Sequence, residues 1–338
     1  MSTDQSSIAT STDTAAATPG RTRRGLELQK FALLGALLLL FLAFFIATPN
    51  FLTISNISGI LLAASVTGIL ALGTNFVIAT GGIDLSVGTG MTLFSVLLAV
   101  LGTSAHFGLP LPVAILLTLV IGALVGMFVG FLVSYMKIPA FIATLAMMMA
   151  TQGLSLIITS STPQYFTEHA WFRQVATGQL IPRIPNAVFI FAVVALVAWF
   201  LMNRTLVGRY AIAIGSNAEA TKLSGVNTRR WTMYIYMTAF VFTAVAGIVM
   251  ASRLNSAQPA LGVGYELEAI AAVVIGGTSL AGGRAAIGGT VIGAILMATL
   301  NNGLQILGIA QEWQRIAVAI VILIAVWGDS VRRNRAAS

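Results

Sequence analysis

The sequence predicts an all-α, polytopic membrane bundle of about ten transmembrane helices with both termini cytoplasmic. Three observations carry that expectation. The chain is 57% apolar and only 8% charged, with a mean hydropathy of +0.94. Soluble domains carry about 25% charged residues, so this chain has too few charges to cover a surface in water. Its apolar residues gather in runs of membrane-spanning length. Its basic residues alternate with those runs so that 14 of the 18 lysines and arginines fall on one side, the asymmetry that orients membrane proteins.

Residues 1–20 are rich in Ser, Thr and Ala with nothing to pack, so 1–29 reads as a disordered cytoplasmic tail. Arg21, Arg23, Arg24 and Lys30 precede the first apolar run, at 30–48. That run is long and is followed by many others, which makes it an uncleaved anchor and not a leader. A spanning helix needs about 20 residues at about 1.5 Å each. Further runs lie near 57–79, 84–101, 112–134, 139–159, 186–202, 231–252, 264–281, 285–307 and 313–328, giving a membrane domain at 30–328 and a basic cytoplasmic tail at 329–338.

With the N-terminus inside, inner segments also hold Lys137, Arg204, Arg209, Lys222, Arg229, Arg230, Arg284, Arg332, Arg333 and Arg335. Outer loops hold only Arg173, Arg183, Arg253 and Arg315. The net charge of +8 therefore follows from topology and calls for no nucleic acid. The eighth run is the weakest, because only 266–277 reads as good helix, and a short or broken crossing is expected there. A re-entrant hairpin would export the Arg332, Arg333, Arg335 tail against the charge rule.

The stretch VVIGGTSLAGGRAAIGG at 273–289 carries glycine pairs Gly276–Gly277, Gly282–Gly283 and Gly288–Gly289. A phosphate-binding Walker loop needs lysine and a hydroxyl residue after its last glycine. Here Gly283 and Arg284 follow Gly282, so the nucleotide reading fails on its chemistry. The stretch reads as a tight turn between membrane helices, with hinging during transport as a second role for Gly276, Gly277, Gly282 and Gly283. Gly289 and Gly293 form a small-xxx-small packing pair, and Gly122, Gly126 and Gly130 a helix-contact stripe.

The longest inner loop, 203–230, contains a small helix at 217–224. Ser216 and Glu219 have capping-box spacing, and Gly225 suits the closing turn. Two isolated turns are marginal in water, so Ser216, Asn217, Glu219, Ala220 and Gly225 read either as a solvated interfacial helix or as a docking helix for a cytoplasmic partner.

Few ionisable groups enter the spans. Asp84, in ATGGIDLSVGTG, reads as the cap of the third span, with gating as the alternative. Asn75, Asn301, Asn302 and Gln305 are candidates to line a path for a neutral solute, although amides that bridge helices look the same. Glu266 and Glu268 are expected at the outer end of the eighth span, solvated or touching a solute-delivery protein, and the outer loop 160–185 is the other landing area. His106 and His169 lie in different loops without a ligand cluster, and cysteine is absent, so metal and thiol chemistry have no foothold.

Several long stretches resemble the permease subunits of bacterial ABC sugar importers of the ribose type. They are GGIDLSVG at 81–88, IPAFIATLAMMM at 138–149, GSNAEATKLSGVN at 215–227, ASRLNSAQPALGVGYELEAIAAVVIGGTSLAGG at 251–283 and LNNGL at 300–304. The resemblance covers about Asn50 to Trp327. It implies a multi-pass protein of the bacterial inner membrane that moves a monosaccharide without any cofactor or enzyme activity of its own. It also implies a second permease copy or close relative, a cytoplasmic ATPase subunit that holds ATP and magnesium, and a periplasmic sugar-binding protein. By that resemblance 217–224 is the region that contacts the ATPase. An ion-coupled secondary transporter is the alternative, disfavoured because acids avoid the spans and because of the capped inner helix.

Overall fold

The computed structural model describes the backbone of residues 20–337 and the side chains of 33–331. The chain runs α1 (Gly20–Ala47), α2 (Ile54–Ala79), α3 (Val87–Gly102), α4 (Leu111–Ser134), α5 (Ala140–Ile158), β1 (Gln164–Tyr165), α6 (Phe172–Thr177) and α7 (Asn186–Arg204). It continues with α8 (Leu206–Ser216), α9 (Ala218–Leu223), α10 (Thr228–Leu254), β2 (Ser256–Ala257), α11 (Tyr265–Ile275), α12 (Ile287–Ile306) and α13 (Gln311–Ala337). Helix α1 begins at Gly20, so part of the expected disordered tail is helical, in keeping with the helix formers Leu26 to Gln29 that lead into the apolar run. The rest of that tail, 1–19, lies outside the described residues.

The bundle is all-α apart from a two-residue antiparallel ladder. Gln164 pairs with Ala257 and Tyr165 with Ser256, tying the 160–166 loop to the exit of α10. Among the described residues, seven helices are long and apolar enough to cross a membrane: α2, α4, α5, α7, α10, α12 and α13. The expected spans at 84–101 and 264–281 are the shorter α3, of 16 residues, and α11, of 11.

Prolines set several starts. Pro110, Pro139 and Pro185 stand at the N-caps of α4, α5 and α7, where no amide hydrogen is needed. Asn227 caps α10 by accepting from the Arg230 amide at 3.1 Å, and Asn255 ends it in the left-handed conformation. Inside the spans, the hydroxyls of Thr74, Thr118 and Thr243 donate to carbonyls four residues earlier, which satisfies them without water.

Helices α2 and α10 form the centre. Their apolar windows are 83% and 78% enclosed, against 22% for α5 and α7 and 6% for α13. Close approach holds the ring of helices to α10. A Cβ on Gly126 would stand 2.6 Å from both the Phe240 Cβ and the Tyr236 carbonyl oxygen, and one on Gly130 would stand 2.6 Å from the Met233 Cα. The expected stripe on α4 is therefore the α4–α10 contact.

Helix α3 runs parallel to α10, with Gly90 beside Thr243 and Gly247 beside Met91. It begins near the middle of α10, so 80–86 climbs from the end of α2 into the bundle before α3 starts.

Filling the α4 groove should be costly. Gly126→Leu is expected to lower stability by about 1–3 kcal/mol or more through overpacking. Gly153→Ala, in a helix position with open space around it, should raise it by about 0.5–1 kcal/mol. Thermal unfolding in detergent measures both.

Candidate functional site

At one end of the bundle, α7 breaks at Thr205 into the amphipathic α8, which buries Gly208, Ala211 and Ile214. Sequence reading missed α8, although its apolar spacing was visible in LVGRYAIAI. The chain passes through the extended residue Asn217 (φ −162°) and enters α9. Asn217 is the N-cap: its side-chain oxygen accepts from the Ala220 amide at 2.9 Å, and its carbonyl accepts from the Thr221 hydroxyl at 2.8 Å.

The expected Ser216–Glu219 capping box does not form. Ser216 is still helical, as the last residue of α8, and its hydroxyl donates to the Ile212 carbonyl. Glu219 is exposed in the first turn of α9, where its charge suits the helix dipole. Gly225 closes the helix at φ +84°, as expected. Only Thr221 is buried; Leu223 is 86% exposed, and a surface groove of 410 Å³ runs between Tyr210, Ala213, Ala220 and Val226.

The last turn of α8 touches two other backbones. The Gly283 amide donates to the Ala79 carbonyl at 3.0 Å, joining the glycine stretch to the end of α2. A Cβ on Gly282 would lie 2.7 Å from the Gly81 nitrogen and 2.9 Å from the Gly215 Cα. One on Gly215 would collide with the Ala79 carbonyl oxygen. Gly277, Gly282 and Gly283 all have positive φ, so the turn reading of this stretch holds. Gly276 packs directly on Gly289 at the start of α12. The Ser279 hydroxyl donates to Asp329 on α13 at 3.4 Å.

Asn75 binds the same region together. Its amide donates to the hydroxyls of Thr278 (2.9 Å) and Thr290 (2.6 Å), and Thr278 also accepts from the Ala286 amide. With no exposed surface, Asn75 bridges helices in this conformation and lines no open path.

Asp84 is not the cap of α3, which starts three residues later. Its carboxylate accepts from the amide and hydroxyl of Ser86 at 2.8 and 2.6 Å, bracing the 80–86 climb from within a fully buried position.

Glu266 and Glu268 depart most from expectation. They occupy the first turn of α11, but that turn does not lie at an outer surface. After α10 the chain folds back into the bundle, and Gly262 and Glu266 meet Gly88 at the start of α3, near the middle of α10. Glu266 is 5% exposed, and its carboxylate accepts from the Gly264 amide. Glu268 accepts from the Asn301 amide at 2.9 Å and from the Thr67 hydroxyl at 3.3 Å, linking α11, α12 and α2. Acids therefore do enter the bundle, where the positive end of α11 favours them. Asn302 instead donates to Asn56, and Gln305 is exposed.

At the end opposite α9, a crevice of 710 Å³ opens between Leu156, Pro163, Tyr165, Leu254 and Gln258. The neighbouring loop is folded: the Ser252 hydroxyl donates to the Phe172 carbonyl and accepts from the Ala176 amide. Glu168 accepts from the hydroxyl and amide of Ser104, and these bonds hold its carboxyl below the usual value.

A family model described as branched-chain amino acid transport system / permease component matches residues 56–326. The chain is 42% identical over 304 residues to the ribose import permease protein of Escherichia coli (strain K12), covering 88% of this chain and 92% of that protein. It is 41% identical to the Haemophilus influenzae ribose import permease protein, over 87% of this chain and 91% of that one. It is 34% identical to the xylose transport system permease protein of E. coli (strain K12), over 92% and 94%. No solved structure matches the chain.

Two outcomes follow from this geometry. Asn75→Ala strands buried hydroxyl partners and should cost about 1–3 kcal/mol in thermal unfolding, whereas Gln305→Ala should stay within about 0.5 kcal/mol. For Glu168 the folded pKa is lowered, so its contribution is present above the ordinary carboxylate value of about 4.3 and disappears as pH falls through the lower folded value. The protection factor of the Ser104 amide against hydrogen exchange should fall over that acid range, and this pH step should be lost in Glu168→Gln.

Proposed function

The chain belongs to the permease subunits of bacterial ABC sugar importers of the ribose and xylose type, and on that premise we propose that it carries a neutral monosaccharide into the cell by alternating access. It is a multi-pass inner-membrane transport subunit and not an enzyme. ATP and magnesium belong to a cytoplasmic ATPase subunit, and a periplasmic binding protein delivers the sugar. A second permease copy or a close relative completes the passage. The reading includes ten crossings, both termini cytoplasmic, a coupling loop at 203–230, and a basic tail at 329–338.

The observation that carries it is the exposed α9, too short to be stable unaided and presented beside a groove at the bundle's end. Its cap Asn217 follows Gly215, which is wedged against the end of α2 and the Gly282–Gly283 turn. Force applied to α9 by the ATPase reaches α2, α12 and the Asp84 segment through contacts that leave no room for slack. Gly276, Gly277, Gly282 and Gly283 serve here as the seat of that joint. ATP then changes the relative stability of inward- and outward-open states, and differential contacts set the direction of net movement.

The substrate class rests on charge. A fixed cation would be the strongest partner for an amino acid's carboxylate. Every described lysine and arginine stands near an end of the bundle, while amides, hydroxyls and the carboxylates of Asp84, Glu266 and Glu268 lie inside it. Those carboxylates and the short α11 are features shared with an ion-coupled carrier, so dependence on ATP is the deciding measurement.

Reconstituted with its ATPase and binding protein, the permease should accumulate ribose or xylose only when ATP is supplied. Uptake driven by an ion gradient without ATP would overturn the proposal. Ala220→Arg, which fills the groove beside α9, should abolish retention of the ATPase in pull-down while membrane insertion persists. Asn217→Ala removes a cap of about 1 kcal/mol and should raise the ATP consumed per sugar moved.

A further inference from the structure

We propose that Glu268 and Asn301, braced from behind by Thr67, line a water-filled stretch of the passage and present hydrogen-bonding groups to the hydroxyls of the passing sugar. This rests on the monosaccharide reading above and adds the site at which the sugar is met.

Depth is the first argument. Thr67 lies twelve residues before the end of α2, and Asn301 fourteen residues into α12. At about 1.5 Å per residue they stand about 18 and 21 Å from the α9 end, inside a hydrocarbon layer of about 30 Å. The cluster is thus within the membrane's thickness.

Exposure is the second. Thr67 is buried, but Glu268 and Asn301 both keep solvent-accessible surface, on a flank that also exposes Leu267 and Gln305. A carboxylate at this depth does not face lipid; intramembrane acids face a bundle interior or a water-filled cavity. The first turn of α11 makes its charge tolerable there, through the positive end of the helix dipole.

Chemistry is the third. Glu268 accepts one bond from the Asn301 amide and one from the Thr67 hydroxyl. A carboxylate has about four acceptor sites, so capacity remains for donors from a ligand. A carboxylate beside a carboxamide suits a pair of neighbouring hydroxyls, one donating and one accepting. The same carboxylate repels the acid group of an amino acid. The cluster therefore selects for neutral polyols and against anions.

The chain has no cysteine, so Asn301→Cys places a single thiol in the cluster. In the assembled complex with its ATPase and binding protein, that thiol should react with a charged, membrane-impermeant methanethiosulfonate in at least one nucleotide state. Ribose or xylose delivered by the binding protein should slow the reaction. Absence of labelling in every nucleotide state, with ATP-driven sugar uptake intact in the wild type, overturns the passage while leaving the transport function standing. Labelling that no sugar slows overturns the subsite.

Protection by leucine in place of sugar overturns the monosaccharide reading itself. Glu268→Gln, nearly isosteric, should reduce uptake at least about tenfold, the loss of one charged hydrogen bond, with ATPase retention unchanged. Uptake within about twofold of wild type would also sink the assignment. If that variant fails to fold, the labelling result decides.

Discussion

Direct backbone contact at glycine holds α2 and α10 at the centre of this bundle, and the remaining helices are placed by it. In a bilayer, lipid tails are as apolar as leucine, so burying apolar area does little to bring helices together. Dispersion between closely fitted surfaces must do so instead, and it falls off within an ångström. Gly126 and Gly130 bring α4 onto α10, and Gly247 brings α3 against the same helix. Gly276 meets Gly289 where α11 and α12 approach. Long apolar side chains are left to face outward, as on α5 and α13.

Tight packing at the centre has a consequence for polar groups. A side chain with hydrogen-bonding capacity must find partners locally or face water. The Asn75 side-chain NH2 solves this with two threonine hydroxyls, although its Oδ1 stays without a partner, and the span threonines solve it with their own helix carbonyls. The cluster of Thr67, Glu268 and Asn301 is only partly enclosed, and that difference separates a helix clamp from a surface that a solute can meet. Similar residue types thus do different work according to whether the backbone around them closes.

The same close packing joins the segment before α9 to the end of α2 and to the glycine turn. The Gly215 contact leaves the chain just before α9 no space between the Ala79 carbonyl and the Gly283 amide. Asn75 carries that contact upward by tying α2 to Thr278 and to α12. Packed elements of this kind are bistable more readily than they are compressible. Such a joint suits a permease driven from outside its own chain.

Composition alone indicated the membrane setting, and spacing alone located the seven long apolar helices, the α4 stripe and the glycine turn, because each depends on neighbours along one helix. The family was legible for a related reason: its long ordered stretches are local text. Gly225 was likewise readable, since a closing turn is a local requirement. The errors were of another kind. Ser216 looked like a cap until α8 proved to run through it, a matter of where one helix stops and the next begins.

Asp84 looked like a cap until the start of α3 moved to Val87. Glu266 and Glu268 looked like surface acids because the sequence places them after an outer loop. Only the tertiary structure folds that loop back into the bundle and sets both carboxylates at depth. The short, broken segment at α11 is stabilised by contacts between residues 174 and 201 positions apart, Gly88 with Gly262 and Thr67 with Glu268. No periodicity along a single segment can encode such pairs. The sequence determined which segments are long and apolar enough to cross a membrane; the packing of distant backbones decided which polar groups meet between them.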